Sequence, residues 1–354
     1  MNRVERLASL LPSDVDGAIV STLTNREYLS SFLASDGFLI VLKDKALFIT
    51  DSRYIEIARK KVVGAEVILQ TNVYEQIHEI CRQNEVKRLL CEQELTVAQF
   101  NAYKKALPDV ELICSDELSA MIGDLRAVKD QSEIDTMCAA QAITDQAFTE
   151  ICGFIRPGVT EKQIAAELEY YMRKLGADGV AFETICASGP NGSMPHAVPS
   201  DRVVQKGEFV TMDYGAKLDG YCSDMTRTVA VGQVTEEMEK VYNTVLEAHL
   251  ASMAAVRAGV TGRDMDKIAR DIIYKAGYEG CFGHSLGHSV GLDIHERPMF
   301  SPRSSEIFKA GDIATIEPGI YLEGRFGVRI ENMVLVKENG FENLTASKRE
   351  LITL

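Results

Sequence analysis

The chain has 354 residues, 46% hydrophobic and 25% charged, with a formal net charge of −14 and a pI near 5.0. Such acidity repels phosphate backbones and anionic headgroups, which argues against nucleic acid and membrane surfaces as partners. The opening MNRVERLASLLPSDVDG is amphipathic and charged, with no signal-like apolar core, and no run approaches membrane-spanning length, so a cytoplasmic protein is expected. The eight cysteines stand without C-x-x-C spacing and most read as small buried residues, with Cys222 singled out for preceding Asp224 by two.

At roughly 150 residues per domain the length suggests two domains. In the first third, GAIV, GFLIVL, ALFIT, AEVIL and KRLLCE read as strands, and RYIEIARKK, YEQIHEICRQ and TVAQFNAYKKAL as helices. Short apolar runs alternating with helical patterns predict an α/β layer domain. The polar stretch from 115 to 130 places the boundary at about 124, giving domains 1–124 and 125–354. Helices are expected at about 131–153, 160–175, 235–257 and 262–275, between strand-rich segments.

Residues 207–215, GEFVTMDYG, have the texture of a buried strand, yet carry Asp213. The segment repeats: KGEFVTMDYG (206–215) aligns with AGDIATIEPG (310–319), matching Asp213 to Glu317. Each copy opens a hairpin. A first turn centred on Leu218 and Asp219 would set Asp224 opposite Asp213, and a second centred on Gly324 would set Glu331 opposite Glu317.

Like charges facing one another across a ladder destabilise it. At roughly 4 kcal/mol per close pair, several such repulsions rival a domain stability of about 5–15 kcal/mol. Raised carboxyl pKa values offer one relief, but four acids around one centre are better matched to divalent cations. GHSLGHSVGLDIHE (283–296) adds His284, His288 and His295 among glycines, and His196 lies in the Pro- and Gly-rich loop before the first acid strand. His78 and His249 sit in ordinary helical patterns and read as structural.

With Asp213, Asp224, His288, Glu317 and Glu331 in this order, the second domain resembles the pita-bread metallopeptidases: methionine aminopeptidase, aminopeptidase P and prolidase. The preceding α/β domain resembles the one carried by the proline-specific branch, as do TDSRY (50–54), LRAVKDQSEI (125–134), DMTRT (224–228) and GVRIEN (327–332). The resemblance implies an α/β creatinase/prolidase-type domain followed by an α+β pita-bread catalytic domain with an internal pseudo-twofold repeat. It further implies a two-metal centre in which Asp213 chelates one ion, His288 and Glu317 hold the other, and Asp224 and Glu331 bridge both. Such a centre yields hydroxide at neutral pH.

In the same resemblance Glu317 serves as proton shuttle, and His196 and His295 hydrogen-bond the scissile carbonyl and its tetrahedral intermediate. His284 lines the substrate pocket, and Arg329, on the strand face of Glu331, orients the acids. Oxygen-rich ligation with one imidazole suits Mn²⁺, with Co²⁺ and Zn²⁺ as alternatives. The expected substrates are short proline-containing peptides. The loop YLSSFLASDGF (28–38) loosely matches one that reaches a neighbouring subunit in relatives, which implies a homodimer.

Asn332 stands where the family often has Asp, removing a charge but no ligand. Some prolidases place an Arg where this chain has Met299. An Xaa-Pro aminopeptidase is therefore expected, with Xaa-Pro dipeptidase (prolidase) as the alternative, in which Arg297 or Arg303 would receive the dipeptide carboxylate. A different class, a metal-free or partner-binding relative of the creatinase type, typically lacks ligands that this chain retains.

Overall fold

In the computed structural model, which describes residues 1–354, the apolar runs of the first third pair into one mixed sheet. Strands β1 (Gly17–Val20), β2 (Phe38–Leu42), β3 (Ala46–Thr50), β4 (Glu66–Leu69), β5 (Arg88–Cys91) and β6 (Glu111–Cys114) lie in the order β4-β3-β2-β1-β5-β6. β2 runs antiparallel to both β1 and β3, and the other pairs are parallel. The strands β1 to β3 are buried almost throughout, as strands sheltered on both faces must be. β6 was not anticipated from the sequence, because an edge strand with Glu111 and Cys114 exposed lacks a continuous apolar run.

The expected boundary at 124 falls inside a helix, Asp116–Ala127, and the chain divides into compact units at Met1–Arg126 and Ala127–Leu354. The segment looks polar in composition, but Leu118, Ile122 and Leu125 recur at helical spacing and are all buried. One Gly at 123 costs only about 1 kcal/mol and does not break it.

The second unit uses a helix pair and a broken hairpin twice. Helices Gln131–Cys152 and Glu161–Lys174 precede the first hairpin, and Glu236–Ala255 and Gly262–Lys275 precede the second. Each starts at a capping Asp130, Thr160, Thr235 or Thr261 whose side chain accepts a backbone N–H of the first turn. The strands are β7 (Gly179–Val180), β8 (Ile185–Ser188), β9 (Glu208–Tyr214), β10 (Ala216–Leu218), β11 (Tyr221–Cys222), β12 (Met225–Val231), β13 (Gly287–Ser289), β14 (Glu296–Phe300), β15 (Ile313–Ile316), β16 (Gly319–Leu322), β17 (Phe326–Arg329), β18 (Asn332–Lys337) and β19 (Gly340–Asn343).

They form sheets β12-β9-β8, β11-β10-β7, β14-β13-β15-β18-β19 and β16-β17. Strand alternation then sorts the side chains. Val210, Met212 and Tyr214 of β9 enter one core with the first helix pair, and Ala314 and Ile316 of β15 enter another with the second. The acids Asp213 and Glu317 are left on the opposite faces. No helix in the chain is long and apolar enough to cross a membrane.

Candidate active site

The first hairpin turns one residue later than the sequence suggested. Its tip is Asp219–Gly220, with φ of 45° and 84°. Two successive positive φ values are the mark of a type I′ turn, for which Asp-Gly is a preferred pair. The ladder consequently sets Asp213 opposite Thr226, not opposite Asp224. Asp224 falls two residues nearer the tip. A slip of two preserves the face, so both carboxylates still look the same way. The second hairpin follows expectation: Ile316 pairs with Asn332 and Gly319 with Arg329, which leaves Glu317 across from Glu331 at the interruption between the two ladders.

β13 brings His288 to these acids. It lies so close to β15 that a Cβ on Gly287 would stand 2.1 Å from the Thr315 carbonyl oxygen. Nδ1 of His288 is 3.1 Å from the Ser289 carbonyl, and burial followed by neighbouring His295 pushes its pKa down to about 4. A neutral ring donating from Nδ1 turns the lone pair of Nε2 inward. That atom stands 3.5 Å from Asp224 Oδ2 and 3.4 Å from Glu317 Oε1. Ligating atoms of Asp224, His288 and Glu331 all lie within 4.8 Å of one another.

The acids do not coexist comfortably on their own. Burial, then Glu331, Asp213 and Glu317, raise Asp224 well above the usual carboxylate range. Burial and then Glu331 do the same to Glu317, and burial and then Asp213 push Glu331 up to about 8. Glu331 accepts from the Thr226 hydroxyl at 2.7 Å and Glu317 from Thr315 at 3.2 Å. Asp213 Oδ1 is buried without any hydrogen-bond partner. An inward imidazole lone pair, an orphaned carboxylate oxygen and crowded acids together fit divalent cations, which replace the missing donors and cancel the repulsion.

Arg329 holds the arrangement from the side. It is 3% exposed and donates to Asp213 Oδ2 (2.7 Å), Thr226 Oγ1 (3.0 Å), Tyr321 Oη (2.9 Å) and the Pro195 carbonyl (3.3 Å). His284 is 2.8 Å from Tyr321 Oη through Nε2 and 2.8 Å from the Ser285 carbonyl through Nδ1, with burial and then Arg329 pushing its pKa down to about 3. The His295 ring stands edge-on to His288 with centroids 4.3 Å apart. His196 and His295 are exposed, at the rim.

Sequence reasoning missed Arg227, which is fully buried beneath the acids. It donates to carbonyls of Thr226, Glu331, Ser347 and Lys348 and to Asn332 Oδ1. An Arg inside a strand of otherwise apolar and hydroxyl residues was the available signal. Thr226 and Tyr321 were missed as well, since neither stands out until the two hairpins meet. Cys222 is buried with its thiol 3.6 Å from the Leu292 carbonyl, and all eight cysteines are free.

All nine singled-out residues, His196, Asp213, Asp224, His284, His288, His295, Glu317, Arg329 and Glu331, line one pocket of about 460 Å³. Its remaining wall is largely apolar, with Phe182, Ile185, Val198, Ile294 and Met299. Residues 135–338 match the model of metallopeptidase family M24. The chain belongs to this family. Residues 3–128 match the creatinase/prolidase N-terminal domain, so this M24 protein is a metallopeptidase, a hydrolase, with the two-part architecture of its proline-specific branch.

Among solved structures, the M24 chain is similar to the Xaa-Pro dipeptidase from Bacillus anthracis, with 41% identity, 99% of each chain covered and a TM-score of 0.96. It is also similar to the X-Pro aminopeptidase from Thermotoga maritima, with 37% identity, full coverage of both chains and a TM-score of 0.92. The Xaa-Pro dipeptidase of Pyrococcus furiosus is 36% identical over 353 residues, 99% of each chain.

Proposed function

We propose that this M24 protein is an Xaa-Pro aminopeptidase, cleaving the bond between an N-terminal residue and a penultimate proline. The observation that carries this reading is the absence of a free cation in the pocket. Arg329 is its only guanidinium and already makes four hydrogen bonds. Met299 lines the wall where some prolidases carry an arginine, Arg297 donates to Glu306 at 2.7 Å, and neither Arg297 nor Arg303 lines the pocket. A dipeptide's carboxylate would meet imidazoles and apolar side chains, whereas a longer peptide puts a neutral amide at that point.

Asp213, Asp224, His288, Glu317 and Glu331 would hold two divalent cations, Mn²⁺ before Co²⁺ or Zn²⁺, which supply an activated water and a Lewis acid. His288 keeps its tautomer through the Ser289 carbonyl. His196 and His295, at the exposed rim, orient the scissile carbonyl and donate to the oxygen that gains charge. Glu317 carries a proton to the departing proline nitrogen. Arg329 fixes Asp213 throughout. Eight free thiols support a reducing cytoplasm, and the resemblance of residues 28–38 supports a homodimer.

The names of the similar B. anthracis and P. furiosus proteins favour a second reading, Xaa-Pro dipeptidase. Hydrolysis of Ala-Pro and Ala-Pro-Ala under the same Mn²⁺ supply tests the choice. The aminopeptidase reading expects the tripeptide to be the better substrate, and a strong preference for Ala-Pro would overturn it.

A further inference from the structure

No residue of the motif LRAVKDQSEI (125–134) lines the pocket, yet its lysine is buried as deeply as any ligand. The Lys129 side chain is 1% exposed, and its Nζ stands 3.1 Å from Oε2 of Glu296, whose side chain is 6% exposed. An ammonium withdrawn this far from water requires its counter-charge to be held in place. The lysine's own N–H donates to the Gly311 carbonyl at 3.0 Å, which fixes the backbone from which it reaches.

Glu296 directly follows His295. Its Oε1 accepts the N–H of Asp293 at 3.2 Å, and its carboxylate lies so near Gly291 that a Cβ there would be 2.5 Å away. Residues 291–296, which bring Ile294 and His295 to the pocket, thus close on their own last carboxylate. Lys129 anchors that carboxylate to the start of the helix Gln131–Cys152. From the same helix Glu133 accepts the Tyr221 hydroxyl at 2.7 Å, three residues before Asp224.

We propose that Lys129 is a positioning residue for hydrolysis: by fixing Glu296 it sets the loop that presents His295 to the scissile carbonyl. The role given to His295 rests on the Xaa-Pro peptidase reading, while the placement of its ring by Lys129 does not. The test uses the full-length, Mn²⁺-loaded protein. In Lys129→Met/Glu296→Gln both charges of the pair leave together, so neither partner is left as a lone buried ion. The expected result is at least a tenfold fall in kcat on Ala-Pro-Ala with KM within twofold and bound metal unchanged.

In a His295→Ala background the same pair of substitutions should cost less than twofold, because residues acting through one another are not additive. A separate measurement needs no turnover: in metal-free protein with ¹⁵N-labelled histidine, the ring signals lost in His295→Ala should shift or broaden in the paired variant while those of His78 stay in place. Wild-type protein inactive on Xaa-Pro peptides but with shifted His295 signals in the variant would refute the peptidase reading and leave the positioning intact. Unchanged His295 signals, or an equal loss of kcat in both backgrounds, would overturn the proposal. Should the paired variant not fold, Glu296→Asp retains the charge and withdraws it from the Asp293 amide; motionless His295 signals there would overturn it equally.

Discussion

The two acid hairpins follow one plan but neutralise their charge differently. In the first, Asp213 faces Thr226 across the ladder and receives Arg329, and Asp224 stands two residues nearer the tip. In the second, Glu317 and Glu331 face each other, receiving hydroxyls from Thr315 and Thr226 but no guanidinium. The guanidinium on Asp213 belongs to the second hairpin, and the hydroxyl on Glu331 belongs to the first. Each half therefore completes the other's polar contacts, and neither is a site alone. Residual repulsion collects on Asp224, Glu317 and Glu331, where burial raises all three pKa values.

The sharpest way to break this comparison is to remove the acid shared by both neighbourhoods. Asp224→Ala should lower kcat by about a thousandfold or more, since several kcal/mol of charge stabilisation depend on bound cations. Its far-UV spectrum should stay native, and the metal-free variant should melt no lower than metal-free wild type at pH 8. A collapsed fold would instead make Asp224 a structural residue.

Chelation exposes this residual repulsion through pH. Below about 4.5 folded and unfolded chains both hold a proton on Glu331; between there and about 8 only the folded chain does, so stability falls as pH rises. Metal-free protein should accordingly melt higher at pH 6.5, above the window in which the buried histidines titrate, than at pH 8, by an amount equivalent to about 2 kcal/mol, and Mn²⁺ should restore it at pH 8. Equal melting at the two pH values without metal would show that the acids are not crowded.

His249 reports on the second hairpin from below. Burial, then Arg227 and Arg349, push its pKa down to about 3, against the pull of the Ile316 and Ile330 carbonyls. Because the unfolded chain takes up that proton between pH 6.5 and about 3, stability falls as pH drops through this window. The loss reaches about 2–3 kcal/mol at pH 4.5. Denaturant titrations of His249→Gln should show a flatter acid limb than wild type, and an unchanged limb would place the proton elsewhere.

The smallest effect is expected at Asn332. Its amide nitrogen donates to Asn343 Oδ1 at 2.7 Å, with the Thr345 carbonyl at 3.4 Å, while its Oδ1 accepts from Arg227 at 2.9 Å. Asn332→Asp would turn a donor into an acceptor facing acceptors and cost about 1 kcal/mol of stability, with kcat within threefold. A larger loss of turnover would make the charge at 332 part of the chemistry.

Much of this was legible in the sequence because it was written in local periods. The strand texture around Asp213, its repeat around Glu317 and the glycine-spaced histidines were enough to gather the four acids, His284, His288 and His295, while His196 came from a Pro- and Gly-rich loop and Arg329 from the family resemblance. What escaped depends on distance along the chain. Arg227 is significant only because Glu331, Ser347 and Lys348, more than a hundred residues away, turn their carbonyls toward it. The misplaced first turn has a different cause: Leu218–Asp219 and Asp219–Gly220 centre nearly equal hairpins, and only the backbone demand for two positive φ values selects the latter. The helix across residue 124 was hidden by averaging polarity over a segment whose apolar residues line up on one side.

The two-residue tip at Asp219–Gly220 also carries an engineering rule. Extending one arm of that ribbon by a single position would rotate Asp224 away from its companions, whereas an extension by two would return it to the same side. A peptide displayed there should therefore be grafted in even counts, or supplied with a compensating bulge, if the clustered acids are to keep their orientation.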